Sequence, residues 1–267
     1  MIALSPDFEV LYIMKLYLIC PTCGSDDVMK NGMTRRGKQN HKCRDCGRQF
    51  VEHPQTQPKG PDTLSKIKLL LLERISLAGI ARVMGVSESW LQNYVNQLYA
   101  AVDPKVSVIP KAVGKCTVQM DELWSFVDNK GNKQWVWLAI DVKTREVVGC
   151  HIGDRSKVSA KALWDSLPGV YRQCAKIYTD HWDAYGAVLP SKRHESVGKE
   201  SGLTSYIERL NNTFRQRISR LVRKTLSFSK KLENHIAAIW NFIHDYNYQI
   251  RVEMLKRLPP EFSPSFT

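Results

Sequence analysis

Two sets of side chains in this sequence have the types and spacing to do chemistry. The first is a doubled cysteine pair, Cys20-Pro-Thr-Cys23-Gly and Cys43-Arg-Asp-Cys46-Gly, with nineteen residues between Cys23 and Cys43. Each pair makes a tight turn that points two thiolates at one ion, and two such turns complete a tetrahedral zinc site. A redox Cys-x-x-Cys is the alternative, and the doubled spacing favours zinc. The second is Glu208, a lone carboxylate at the head of the basic stretch 206–231. After it no acid appears until Glu233, while Arg209, Arg215, Arg217, Arg220, Arg223, Lys224, Lys230 and Lys231 follow. Glu208 is either a helix-start residue favoured by the helix dipole or a metal ligand aimed at phosphates that the arginines hold.

The elements around Glu208 decide between these readings. Ile207, Leu210, Phe214, Ile218 and Leu221 recur at helical spacing, so 206–231 is expected as a helix with one apolar stripe. Glu208 borders that stripe, in line with Asn212, Arg215 and Ser219. Upstream, 116–127, 133–142 and 146–153 alternate apolar and polar residues and read as an antiparallel meander. A helix over 157–172 follows, then a strand at 175–180, a short segment 182–189 and a strand near 194–197. That order is the order of an α/β RNase H-like domain with a mixed sheet. It places Asp121 on the first strand, Asp180 at the end of the fourth and Glu208 on a helix packed alongside. Three converging carboxylates suit hard cations, Mg²⁺ or Mn²⁺, and two such ions can activate an attacking oxygen and stabilise a leaving one. Other acids compete. Glu122 alternates to the opposite strand face from Asp121, so one of the two is expected to point away. Asp141 and Asp154 end strands, Asp183 follows Asp180 by three residues, and Glu200 precedes the helix. Trp135, Trp137, Trp164 and Trp182 read as core or sheet-face residues.

The N-terminal half reads as two small modules. Residues 20–54 form a zinc ribbon, with a basic hairpin turning at Asn31-Gly32 and Arg36-Gly37 and with His41 as a solvated or phosphate-touching side chain. Residues 55–110 open on a Pro/Gly/Gln linker at 53–61 and continue as three helices. The stretch Ser76–Val95 has the order of a helix-turn-helix, with Gly85 at the turn and Ser87 as N-cap. Ser89, Gln92, Asn93 and Asn96 then face outward on the recognition helix, where such side chains read base edges. Residues 111–267 are the catalytic domain, closed by a helix striped with Ile236, Ile239, Ile243, Tyr246 and Ile250 that packs on the domain or on another subunit. Residues 1–19 are expected to be an extension, with Met14 as an alternative start.

Composition agrees with a nucleic-acid partner. A net charge of +13 and a pI near 9.4 call for a polyanion. No apolar run reaches the roughly eighteen residues of a membrane span. Seven cysteines in this arrangement indicate a reducing compartment, hence a cytoplasmic, nucleoid-associated protein.

The segments QMDELW (119–124), YTDHWDAY (178–185) and YIERLNNTFRQRISRLVRKTLSFSK (206–230) resemble the insertion-sequence-one family of transposases, within the DDE transposase and retroviral-integrase superfamily. The resemblance runs over the whole chain and is most specific in the last segment. His181 departs from it, since a glycine is expected after the second aspartate. The resemblance implies catalytic carboxylates at Asp121, Asp180 and Glu208, holding two Mg²⁺ or Mn²⁺ ions. It implies phosphate contacts from Asn212, Arg215, Arg217 and Arg220. It also implies cleavage of element ends, joining to target double-stranded DNA, and a homo-oligomer on that DNA. A regulator with a relic catalytic domain is the rival, and it would be expected to lack one of the carboxylates. An RNase H-type nuclease without strand transfer is the third reading, and the two DNA-binding modules argue against it.

Overall fold

The structure is a computed structural model that describes residues 18–52, 59–221 and 229–257. The extension up to residue 17, most of the linker, and Arg223 and Lys224 lie outside the described residues. The chain divides into two compact units, Met1–Gly60 and Pro61–Thr267.

Short antiparallel strands β1 (Val28–Met33), β2 (Gln39–Cys43) and β3 (Gln49–Val51) make the sheet of the first unit. Both cysteine turns close the same way. Gly24 N–H donates to the Cys20 carbonyl at 2.9 Å, and Gly47 N–H to the Cys43 carbonyl at 3.1 Å. Each turn needs a left-handed residue, and Gly24 and Gly47 both have φ of 73°. Of the two expected hairpin turns only Arg36-Gly37 is one. Asn31-Gly32 instead forms a bulge inside β1, where the register slips between Lys30 and Met33.

The second unit begins with α1 (Pro61–Leu70), α2 (Leu77–Met84) and α3 (Glu88–Ala100). Ser76 and Ser87 cap α2 and α3, accepting from Gly79 N–H at 3.1 Å and Trp90 N–H at 3.3 Å. Ile67, Ile80, Ala81, Leu91, Val95 and Tyr99 close their core, and Ala238 from the last helix completes it.

Strands β4 (Cys116–Phe126), β5 (Lys133–Asp141) and β6 (Val147–Gly153) form the meander, and β7 (Ala175–Thr179) and β8 (His194–Ser196) add to it in parallel. The order is β6-β5-β4-β7-β8, a mixed sheet. One face carries α4 (Lys157–Ser166), α5 (Gly169–Cys174) and α6 (Asp183–Val188). On the other face lie α7 (Ser205–Arg217) and α8 (Leu232–Lys256). Two expected long helices are broken. Pro168 cannot donate the helical N–H, so 157–172 splits into α4 and α5. The basic helix ends at Arg217, where β-branched Ile218 turns extended, and Ser219–Leu221 form a separate 3-10 turn.

At the edge strand β6, Asn247 of α8 substitutes for a neighbouring strand. Its Oδ1 accepts from Val147 N–H at 2.8 Å, and its Nδ2 donates to the Val147 carbonyl at 2.9 Å and the Ser107 carbonyl at 3.2 Å. Asn247 is buried, so Asn247→Ala leaves β6 backbone groups unpaired. Urea unfolding should show a loss of about 2–3 kcal/mol. A loss below about 0.5 kcal/mol would mean that water takes over these bonds.

Candidate active site

Parallel pairing of β4 with β7 sets two aspartates level. Gln119 lies opposite Tyr178 in the ladder, and two residues further along each chain stand Asp121 and Asp180. One carboxylate oxygen from each of Asp121, Glu122 and Asp180 lies within 4.8 Å of the others. Strand alternation does root Asp121 on the α7 face with Leu123, and Glu122 on the opposite face with Met120. The expectation that one therefore points away is corrected here. β7 ends at Thr179, so Asp180 stands just past the strand, and an oxygen of each carboxylate comes close to it although Glu122 keeps its own face, bonded to Arg155 and Tyr185.

The helix bearing Glu208 is fastened from the strand. Thr204, before the first turn of α7, supplies no side-chain cap. Buried Gln119 does so instead, its Oε1 accepting from both Tyr206 N–H and Ile207 N–H at 2.9 Å. One turn on, Asn211 Nδ2 donates to Asp121 Oδ2 at 2.7 Å. Glu208 precedes Asn211 by three residues and so shares its helix face. Its own carboxylate accepts from the Thr204 hydroxyl at 2.9 Å and is not within the group of three. Of the adjacent asparagines, buried Asn211 reaches the site and Asn212 is exposed.

Asp121 Oδ1 also accepts from Glu122 N–H at 2.8 Å. Burial, and then the charge of Glu122, push the Asp121 carboxyl up to about 7. Asp180 Oδ1 accepts from Trp182 N–H at 3.0 Å. His181 lies in ordinary backbone, since Asp128 and Arg145 are the non-glycine residues with positive φ among those described. Its Nδ1 meets Ser196 Oγ at 2.8 Å. The oxygen donors suit a hard divalent cation. Asn211 Oδ1, buried beside Asp121 without a protein partner, adds an unfilled acceptor.

The competing acids have other work. Asp141 Oδ1 closes the β5–β6 turn through Lys143 N–H and Thr144 N–H, and its Oδ2 meets Lys111 and the Tyr171 hydroxyl. Asp154 accepts from the Ser156 and Ser159 hydroxyls at the start of α4. Asp183 and Glu200 are exposed. Trp137 is fully buried, its indole N–H donating to the Asp154 carbonyl at 2.9 Å, and Trp135, Trp164 and Trp182 pack partly buried on the same face.

In the first unit, Cys20 and Cys46 sulfurs stand 3.6 Å apart, as do those of Cys23 and Cys43, and all four lie within 4.8 Å of one another. Zinc–sulfur bonds of about 2.3 Å put tetrahedral sulfurs about 3.8 Å apart, so the thiols fit that ion. His41 is buried and tilted against Phe50, not solvated as its sequence context suggests.

The cationic residues separate into groups. Arg217 is engaged by Glu73 at 2.9 Å and lies over the Phe242 ring. Arg215 is half-buried. Arg220, Lys230 and Lys231 line a cleft of about 920 Å³ together with Gln92 and Asn96 of α3. Gln92 Nε2 donates to Asn96 Oδ1 at 2.9 Å, and Asn234 Nδ2 of α8 reaches the same oxygen at 3.3 Å. Ser89 and Asn93 are exposed on α3.

A family model described as IS1 transposase matches residues 115–249, from one residue before β4 to well inside α8. The chain is 35% identical over 130 residues to the InsB protein of insertion element iso-IS1n from Shigella dysenteriae, covering 49% of this chain and 95% of that protein. It is 34% identical over 131 residues to IS1 InsB of Shigella flexneri, covering 49% and 96%. The IS1 2 InsB protein of Escherichia coli K12 gives 34% over 131 residues, covering 49% and 75%. The chain belongs to the IS1 transposase family, which implies DNA transposition, DNA binding and use of divalent metal. Among the described residues no helix is long and apolar enough to cross a membrane.

Sequence reasoning missed Gln119, which holds the start of α7, Asn211, which bonds Asp121, and Arg155 and Tyr185, which bond Glu122. Gln119 carried a faint signal, a polar residue in an otherwise apolar strand two places before Asp121. The raised Asp121 carboxyl has a consequence for the metal-free protein. The folded state keeps that proton to a higher pH than the unfolded chain, so stability falls as pH rises from about 4 to about 7. In chelator at pH 8, Asp121→Asn should be more stable than the wild type by about 1–3 kcal/mol, with the gap closing near pH 4. A variant less stable at pH 8 would contradict the burial of a charged carboxylate here.

Proposed function

We propose that this chain is a DDE-type DNA transposase that binds the ends of its insertion sequence and carries out metal-dependent strand cleavage and strand transfer. The observation that carries the reading is the level placement of Asp121 and Asp180 on neighbouring strands, beneath a helix bonded to β4 through Gln119 and Asn211. That sheet and helix arrangement supports an RNase H-like catalytic domain. Asp121, Asp180 and Glu208, the last bonded here to the Thr204 hydroxyl, would hold two Mg²⁺ or Mn²⁺ ions. Such ions, when bound, supply Lewis-acid activation of the attacking oxygen and stabilisation of the leaving oxygen.

The protein's own groups bind and orient the DNA. Water is the nucleophile at the element's ends, and the freed 3′-OH is the nucleophile at target DNA. Arg215, Arg220 and the exposed Asn212 contact phosphates, and Lys230 and Lys231 extend that track into the cleft beside α3. Arg217 contributes by holding α7 against Glu73. Helices α2 and α3 act as a helix-turn-helix. Ser89 and Asn93 project from it to base edges, and Gln92 and Asn96 face the cleft. The four-cysteine unit is a zinc ribbon that binds DNA or a partner subunit. The domains then run 20–54, 55–110 and 111–267, in a protein that works as a homo-oligomer on cytoplasmic, nucleoid DNA. The rival regulator with a relic catalytic domain is disfavoured by the presence of all three carboxylates.

Glu208→Gln keeps the shape and removes the charge the ions require. Cleavage of an end-bearing duplex in Mg²⁺ should fall by at least about a hundredfold, while DNA affinity at two salt concentrations holds or rises. A folded Glu208→Gln protein that cuts at the normal rate would remove Glu208 from the site.

A further inference from the structure

Glu122 has the position of a metal ligand and the bonding of a structural ion. Its Oε1 accepts from Arg155 twice, from Nε at 2.8 Å and Nη2 at 2.6 Å, and its Oε2 accepts from the Tyr185 hydroxyl at 2.9 Å. The Glu122 side chain is 1% exposed and that of Arg155 35%. The guanidinium also lies over two indoles, 4.5 Å from the Trp135 centroid and 3.9 Å from that of Trp182. Trp182 N–H bonds Asp180, so the cage around Arg155 is tied to one aspartate as Glu122 is to the other.

We propose that Glu122 is a positioning residue and not a metal ligand. With Arg155 it forms a fixed internal ion pair that leaves Asp121 and Asp180 to the ions and requires the third carboxylate to come from α7. This rests on reading the Asp121–Asp180 group as a metal site. Two guanidinium N–H groups converge on Glu122 Oε1 and a phenol donates to Oε2, and breaking such a buried pair leaves an uncompensated charge. An ion is therefore better served by a carboxylate held by one exchangeable hydroxyl bond, as Glu208 is by Thr204.

Charge counting gives the inference opposite signs to test. Four carboxylates, Asp121, Glu122, Asp180 and the incoming Glu208, and one guanidinium sum to −3 around the ions. Arg155→Met makes the sum −4, Glu122→Gln makes it −2, and the double variant restores −3. Mn²⁺ affinity of the full, zinc-loaded chain at pH 8, measured by calorimetry with electron paramagnetic resonance as a check, should tighten about tenfold in Arg155→Met and weaken about tenfold in Glu122→Gln. E122Q/R155M should return to within about threefold of wild type. A coordinating Glu122 predicts instead that the double variant stays as weak as Glu122→Gln, which would overturn the proposal. So would single variants that lose stability with unchanged Mn²⁺ affinity. If Arg155→Met does not fold, Glu122→Gln and the double variant still decide, because neither buries an unpaired carboxylate. Asp121→Asn separates the underlying reading. Wild-type Mn²⁺ binding in that variant would overturn the metal site itself, whereas lost binding with an uncoupled Glu122–Arg155 cycle would overturn the ion-pair role alone.

Discussion

The fastening of α7 to β4 is the constraint on which the site depends. A sheet can bring two aspartates level by register alone, but a third carboxylate on a helix needs that helix fixed in translation and rotation. Gln119 supplies the translation, because one buried amide oxygen takes two of the orphan N–H groups at the helix start. Asn211 supplies the rotation by tying the same face to Asp121. Both bonds come from residues within three positions of the carboxylates they serve, so strand and helix cannot shift without moving the site. Apolar packing of Ile207, Leu210 and Phe214 beneath the helix supplies most of the adhesion, and the two polar contacts set its direction.

Electrostatics sets the rest. Burial, and then the neighbouring charges of Glu122 and Asp180, hold the Asp121 proton to about 7, a crowding that a cation would offset. The protein offsets part of that charge internally with Arg155 and leaves Glu208 on a neutral hydroxyl nearby. Around the site the excess of positive charge is distributed, with Arg217 spent on Glu73 and Arg220, Lys230 and Lys231 gathered in a cleft with α3. The cleft joins the three-helix segment to the sheet's helices through Asn96 and Asn234, so the two halves of this unit share one surface.

Much of this was legible in the sequence where local periodicity or spacing carries the information. The cysteine turns, their positive-φ glycines, the Ser87 cap, the meander and the strand leading to Asp180 all follow from residues close in sequence. The failures share a cause. Whether Glu122 turns away depends on where β7 stops, which alternation along β4 cannot report. Asn211 and Asn212 are interchangeable by type, and only the docked rotation of α7 selects between them. The basic run after Glu208 reads as one helix because its apolar spacing persists past Arg217, although Ile218 leaves the helical backbone while staying in the core. Buried His41 was hidden by a basic context that reflects the surface around it rather than its own site.

Anomalous diffraction from crystals of the full chain soaked in Mn²⁺ tests the central claim most directly. If Asp121, Asp180 and Glu208 form the ion-holding set, two manganese peaks about 3.5–4 Å apart should sit between the aspartates. The Glu208 carboxylate should have left Thr204 for one of them, with Glu122 still bonded to Arg155. Manganese held by Asp121, Glu122 and Asp180, with Glu208 still on the Thr204 hydroxyl, would contradict it.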